Sequence, residues 1–323
     1  MAKVLKKILI AIAVIVGVLL VVLVGLMIIS HFDSLKPHLS DDYYTEFKSD
    51  YELEKKYAGL GSFEVANADF DATDKKIDKY RIWYPKELES KQQEYPLIVI
   101  TNASNVAALN YEPYFKRLAS WGFIVVGNED RQAGSGESTS LTLDYVLKLN
   151  DKSDSIFYKN ISQTNIGIIG FSQGGAGAIR AATEFDNSNR YKTIFTGSAA
   201  YPFLAKNMGW GYDASKIAIP YFMAAGTGTS DDSGKYGEND FSGVAPLFSL
   251  KENYEAMSGD VFKIRARIKG AEHEDMLTLT DGYMTAWMCW QLQGDTEAEK
   301  VFTGDNAEIM QNTKWQDKAA NIF

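Results

Sequence analysis

The stretch Ile166-Gly167-Ile168-Ile169-Gly170-Phe171-Ser172-Gln173-Gly174-Gly175 constrains this chain more than any other. A short apolar run suited to a buried strand leads into G-x-S-x-G, and the residues that follow, Gly175 to Ala182, are Gly and Ala apart from one Ile and one Arg. A serine on a sharp turn between a strand and a helix needs neighbours without bulk two positions before and two after it, and Gly170 and Gly174 meet that need. The small-residue helix can then approach a sheet closely, with its amino end directed at the serine. Ser172 is therefore a candidate nucleophile. The plainer alternative is a Gly-rich strand-to-helix turn in some other α/β protein.

A serine nucleophile needs a base to take its proton. The chain has three histidines, His31, His38 and His273. His31 and His38 lie beside an apolar amino-terminal run, whereas His273 follows Ser172 and comes just after the strand-like run Val261 to Ile268. His273 is the candidate base. The acid that orients it is expected between the two, after a strand. Ile219 to Ala225 reads as that strand, and Gly226-Thr227-Gly228-Thr229-Ser230-Asp231-Asp232 as the loop behind it. Asp231 is the first choice and Asp232 the reserve, since a triad uses a single acid.

Other apolar runs alternate with helical stretches. Leu97 to Ile100, Phe123 to Val126, Ile166 to Ile169, Thr193 to Thr196, Pro220 to Ala224 and Val261 to Ile268 read as strands. Tyr111 to Ser120, Ser138 to Leu149, Gly175 to Phe185 and Pro246 to Met257 read as helices between them, which implies crossover units and a parallel sheet. Ser62 to Phe70 and Lys79 to Tyr84 alternate as half-buried strands do.

Four segments, spanning about residues 95 to 290, resemble the α/β-hydrolase superfamily: Tyr95 to Ile100, Leu118 to Val126, the turn at Ser172, and Gly270-Ala271-Glu272-His273. Within it they are similar to the cutinase-like polyester hydrolase, chlorophyllase and dienelactone hydrolase group. The resemblance implies an α/β-hydrolase fold, with a mostly parallel central sheet, helices on both faces and a small cap. It implies a triad in the order Ser172, Asp231, His273, with the histidine on the loop after the last strand. The backbone N–H groups of Gln173 and, by alignment, Ser104 would form the oxyanion hole. Similar polyester hydrolases place an aromatic residue near Tyr201, the candidate for substrate binding, although loop aromatics more often pack under their own loop. The chain departs from the group twice. Dienelactone hydrolases carry a cysteine where Ser172 stands, and Thr101-Asn102-Ala103-Ser104-Asn105 lacks the glycine usual in the oxyanion loop, though any residue except proline keeps a backbone donor.

The first thirty residues carry a second signal. Lys3, Lys6 and Lys7 precede an uncharged apolar run from Ile8 to Ile29. At 1.5 Å per residue that run reaches about 33 Å, enough for a transmembrane helix. Its far end offers no small-x-small cleavage pair, so an uncleaved anchor is expected, with the lysines inside and the rest of the chain outside. Residues 1–30 are thus expected as the anchor, 31–60 as a tether that spaces the domain from lipid, and 61–323 as the catalytic domain. The single cysteine, Cys289, excludes an internal disulfide and reads as a buried thiol. A net charge of -9 argues against nucleic acid, and three dispersed histidines make no metal site. Arg131 to Thr139 lacks the glycine spacing of a phosphate loop and reads as a rim loop, with Ser138 capping the next helix.

The expected function is that of a membrane-anchored extracytoplasmic serine hydrolase acting on small-molecule or polymeric carboxylic esters, without cofactor or metal. A serine peptidase or acyltransferase on cell-surface substrates and a non-catalytic surface binding module are the alternatives.

Overall fold

A computed structural model describes residues 12, 14–28, 36–237 and 240–321. Its strands are β1 (Val65–Asp71), β2 (Lys79–Pro85), β3 (Tyr95–Thr101), β4 (Ile124–Asn128), β5 (Ile161–Phe171), β6 (Thr193–Gly197), β7 (Tyr221–Gly226), β8 (Lys263–Ile268) and β9 (Trp315–Ala320). Among the described residues they form one sheet in the order β1-β2-β4-β3-β5-β6-β7-β8-β9. The pairs from β4 through β8 are parallel, while β1, β2 and β9 join antiparallel at the two ends.

Strands covered on both faces read as continuous apolar runs, because neither set of alternating side chains meets water. In β3, Ile98 and Ile100 belong to one core cluster and Leu97 and Val99 to the other. The first cluster packs under helices α2 (Glu112–Ala119) and α8 (Asp281–Met288) through Phe115, Leu118 and Trp287. The second packs under α3 (Glu137–Asp151) and α4 (Gln173–Ala181) through Leu143, Val146 and Ile179. This is an α/β fold with a mostly parallel sheet and helices on both faces, as expected.

Two features differ from the expectation. The histidine loop follows β8, and β8 is not the last strand, because β9 pairs with it. Trp315-Gln-Asp-Lys-Ala-Ala has no apolar run, and an edge strand paired on one side needs none. The second difference is at the amino end. Residues 36–60 lie on the domain instead of standing off from it. Tyr43 and Tyr57 are buried, and α1 (Glu52–Ala58) packs on α8. The Tyr43 hydroxyl donates to Asp281 at 2.8 Å and accepts from Arg117 Nε at 2.9 Å. Arg117 also donates to the carbonyl of Tyr57 at 3.0 Å and to Asp281 Oδ1 at 2.7 Å. A fully buried ion pair thus gathers the amino-terminal segment, α1, α2 and α8 at one point.

Of the apolar run Ile8 to Ile29, residues 14–28 are helical, with side chains exposed; apart from Ile12, its other residues lie outside the described ones. Among the described residues no helix is long and apolar enough to cross a membrane.

Candidate active site

Ser172 stands between β5 and α4 with φ 55° and ψ -124°, a left-handed conformation that only a tight surrounding can hold in a residue with a Cβ. The surrounding is built from glycine. A Cβ on Gly170 would meet the Gly174 carbonyl oxygen at 2.1 Å, and one on Gly174 would meet the Thr101 carbonyl oxygen at 2.2 Å. The elbow is then tied to the neighbouring strand: Ser172 N–H donates to the Gly197 carbonyl at 3.0 Å, and the Ala200 N–H donates to the Ser172 carbonyl at 3.1 Å.

The structure separates the two adjacent aspartates. Asp231 is sealed from solvent and its Oδ1 lies 2.6 Å from Nδ1 of His273. Its Oδ2 accepts the Gly226 N–H at 2.7 Å and the Ser198 hydroxyl. A buried carboxylate with every oxygen partnered fixes the imidazole tautomer, leaving the other ring nitrogen for chemistry. The ring itself is 17% exposed, so it can be reached. Asp232 turns away to Arg267 Nη1 at 2.6 Å and Tyr236 Oη at 2.6 Å. Burial would raise its pKa, but the hydrogen bonds from Tyr236, the Leu247 and Gly234 N–H groups and Arg267 hold it below the ordinary carboxylate range.

Loop contacts hold His273 in place. Its N–H donates to Ser230 Oγ at 2.9 Å, and the Ser230 hydroxyl donates to Glu272. Glu272 also accepts the Ser230 N–H at 3.0 Å, and these bonds hold its carboxyl below the usual range. The acid loop and the histidine loop are thereby clamped to each other.

Ser172 and His273 line one cleft of about 370 Å³. No direct hydrogen bond joins them among the described residues; the His273 ring bonds to Asp231. Ser104 lines the same cleft, and its N–H donates to no protein group among the described residues. Gln173 opens α4, so its N–H has no intrahelical acceptor. Asn102 steadies the loop before Ser104 by donating to the carbonyls of Asn128 at 2.7 Å and Asp130 at 2.8 Å. Tyr201 does not line this cleft. Its ring stacks on Phe203 with centroids 6.2 Å apart and meets Phe248 edge-on at 5.7 Å.

Two further groups escaped the sequence reading. Ser198 reaches Asp231 from the end of β6, in a sequence with no motif to mark it. His38, set aside for its place beside the apolar run, lines the cleft with Ser172 and His273. A larger hollow of about 620 Å³, around Glu64, Lys86 and Glu87, shares no residue with this cleft. No metal-binding group of His, Cys, Asp or Glu occurs among the described residues.

A family model named PETase and described as PET hydrolase-like matches residues 56–198. The matched stretch runs from α1 to just past β6 and includes Ser104, Ser172 and Gln173; Asp231 and His273 lie beyond it. The resemblance to a cutinase-like α/β-hydrolase group stands on that match. None of the curated proteins matches the chain.

Proposed function

We propose, from the likeness to PET hydrolase-like enzymes and the geometry around Ser172, that this protein is a serine hydrolase of carboxylic esters. One observation carries the reading: a serine held in a strained turn shares a cleft with an imidazole whose Nδ1 is bonded to a buried aspartate. In the proposed mechanism, His273 takes the proton of Ser172 as the hydroxyl attacks the ester carbonyl. Asp231 holds the imidazole tautomer and stabilises the imidazolium that forms. The N–H groups of Gln173 and Ser104 receive the negative charge on the carbonyl oxygen, which is where preorganised donors contribute most. His273 then returns its proton to the leaving alcohol, and water repeats the sequence on the acyl-enzyme.

The substrate is a small-molecule or polymeric ester, and the triad needs no cofactor. The protein is further proposed to be held in the cell membrane by its amino-terminal apolar run, with the domain outside. The length of the run and the lysines ahead of it support that reading. Tyr201 stays a proposed substrate contact beyond the cleft, beside exposed Phe203.

The test is hydrolysis of a p-nitrophenyl ester series by the full chain and by Ser172→Ala, with fluorophosphonate labelling of both. Turnover and labelling lost together in Ser172→Ala support the assignment. Labelling without ester turnover would move it to a peptidase or an acyltransferase, and neither signal in the parent would move it to a surface binding module.

A further inference from the structure

The cleft at Ser172 is not made by the hydrolase domain alone. His38, which precedes the first described strand by more than twenty residues, lines it beside Glu274 and Leu277. The segment that carries His38 is fixed at two stations. At the first, the His38 N–H donates to the Asn110 carbonyl at 2.9 Å, and Asn110 Nδ2 donates to the Lys36 carbonyl at 2.8 Å. At the second, buried Tyr43 bonds to the Arg117–Asp281 pair. Between them Leu39 is half-buried and packs on the core. Two stations five residues apart leave the backbone of His38 little freedom, which keeps the residue at the cleft.

The cleft lining has two characters. Val106, Tyr111, Phe171 and Leu277 offer an apolar floor, whereas exposed His38 and Glu274 bring an imidazole and a carboxylate to its rim. Such a lining suits an amphiphilic ester, whose acyl chain lies on the floor and whose hydroxylated alcohol part meets hydrogen-bonding groups at the rim. We infer that His38 is a specificity-determining residue of this cleft, brought to the substrate's polar end by the segment ahead of the domain. The inference rests on the cleft being the ester site proposed above.

The experiment measures binding and turnover separately. Full-length Ser172→Ala, with and without His38→Ala, is titrated with 1-monooctanoylglycerol and with methyl octanoate by calorimetry. The expected result is affinity for the glycerol ester about 3- to 10-fold weaker in His38→Ala, the range set by one lost hydrogen bond, with methyl octanoate unchanged. In the Ser172 protein the same substitution should raise KM for the glycerol ester by a similar factor, with kcat and the fluorophosphonate labelling rate held within about twofold. Equal affinities with and without His38 would overturn the inference, and so would equal weakening towards both esters, which is the mark of a merely structural role. Failure of the esterase reading looks different: the parent protein neither labels nor turns over, whatever His38→Ala does to binding.

Discussion

At the scale of single residues, the division of labour between Asp231 and Asp232 predicts opposite phenotypes for the same chemical change. Asp231→Asn should lower kcat roughly 10³- to 10⁴-fold, since an amide favours the wrong imidazole tautomer, and should leave ester KM nearly unchanged. Asp232→Asn should leave kcat within a few fold and cost about 2 kcal/mol of stability, because Arg267 loses one partner of a buried pair but keeps Asp317 at 2.7 Å. Kinetics and thermal unfolding of the two variants decide between these outcomes. The Asp232 contribution also has a pH signature. A carboxyl held below its ordinary 3.8 in the folded state stabilises the fold above that pH and ceases to do so as pH falls through the depressed value. The melting temperatures of the parent and Asp232→Asn should therefore differ by a constant amount above about pH 5 and converge in more acid solution. A gap that widens on acidification would contradict this.

At the scale of elements, the elbow and the buried ion pair carry the largest structural stakes. Gly174→Ala would drive a Cβ into the backbone oxygens of Thr101 and Asn102, displacing the strand end that leads to Ser104. Loss of fluorophosphonate labelling, or of soluble protein altogether, is expected; a fully active Gly174→Ala would show that the turn has room. Asp281→Ala would leave the Arg117 guanidinium buried and unpaired, at a cost of about 3–5 kcal/mol, while Arg117→Met with Asp281→Leu should cost less because no charge is stranded. Chemical denaturation of the two variants measures the difference. The same elements show what a sequence reveals. The central strands were legible because burial on both faces writes itself as Leu97 to Ile100 and Ile166 to Ile169. The candidate site was legible as far as residue type and order go: Ser172 behind one strand, Asp231 behind another, His273 behind a third. The choice of Asp231 over Asp232 turns on which carboxylate faces the imidazole, a matter of backbone direction within a loop. β9 was missed for lack of an apolar pattern. The docking of residues 36–47 was missed because it depends on Tyr43 finding an ion pair whose members are 164 residues apart.

At the scale of the whole molecule, the proposed membrane anchoring predicts that the full chain sediments with membranes through salt and carbonate washes and is released only by detergent, with the domain open to added protease in intact cells. Recovery in the soluble fraction would remove the anchor from the account. The contact between His38 and the cleft then acquires a geometric meaning. Lys36 lies eight residues beyond Ile28, the last described residue of the apolar helix, so at no more than about 3.6 Å each they bridge at most about 29 Å. Under the proposed anchoring, a connection that short, ending at the cleft rim, would keep the mouth of the candidate site within that distance of the membrane, whichever way the domain turned. Encounters with substrate would then become a two-dimensional search, in which the surface density of esters, more than their bulk concentration, would set how often the serine is met.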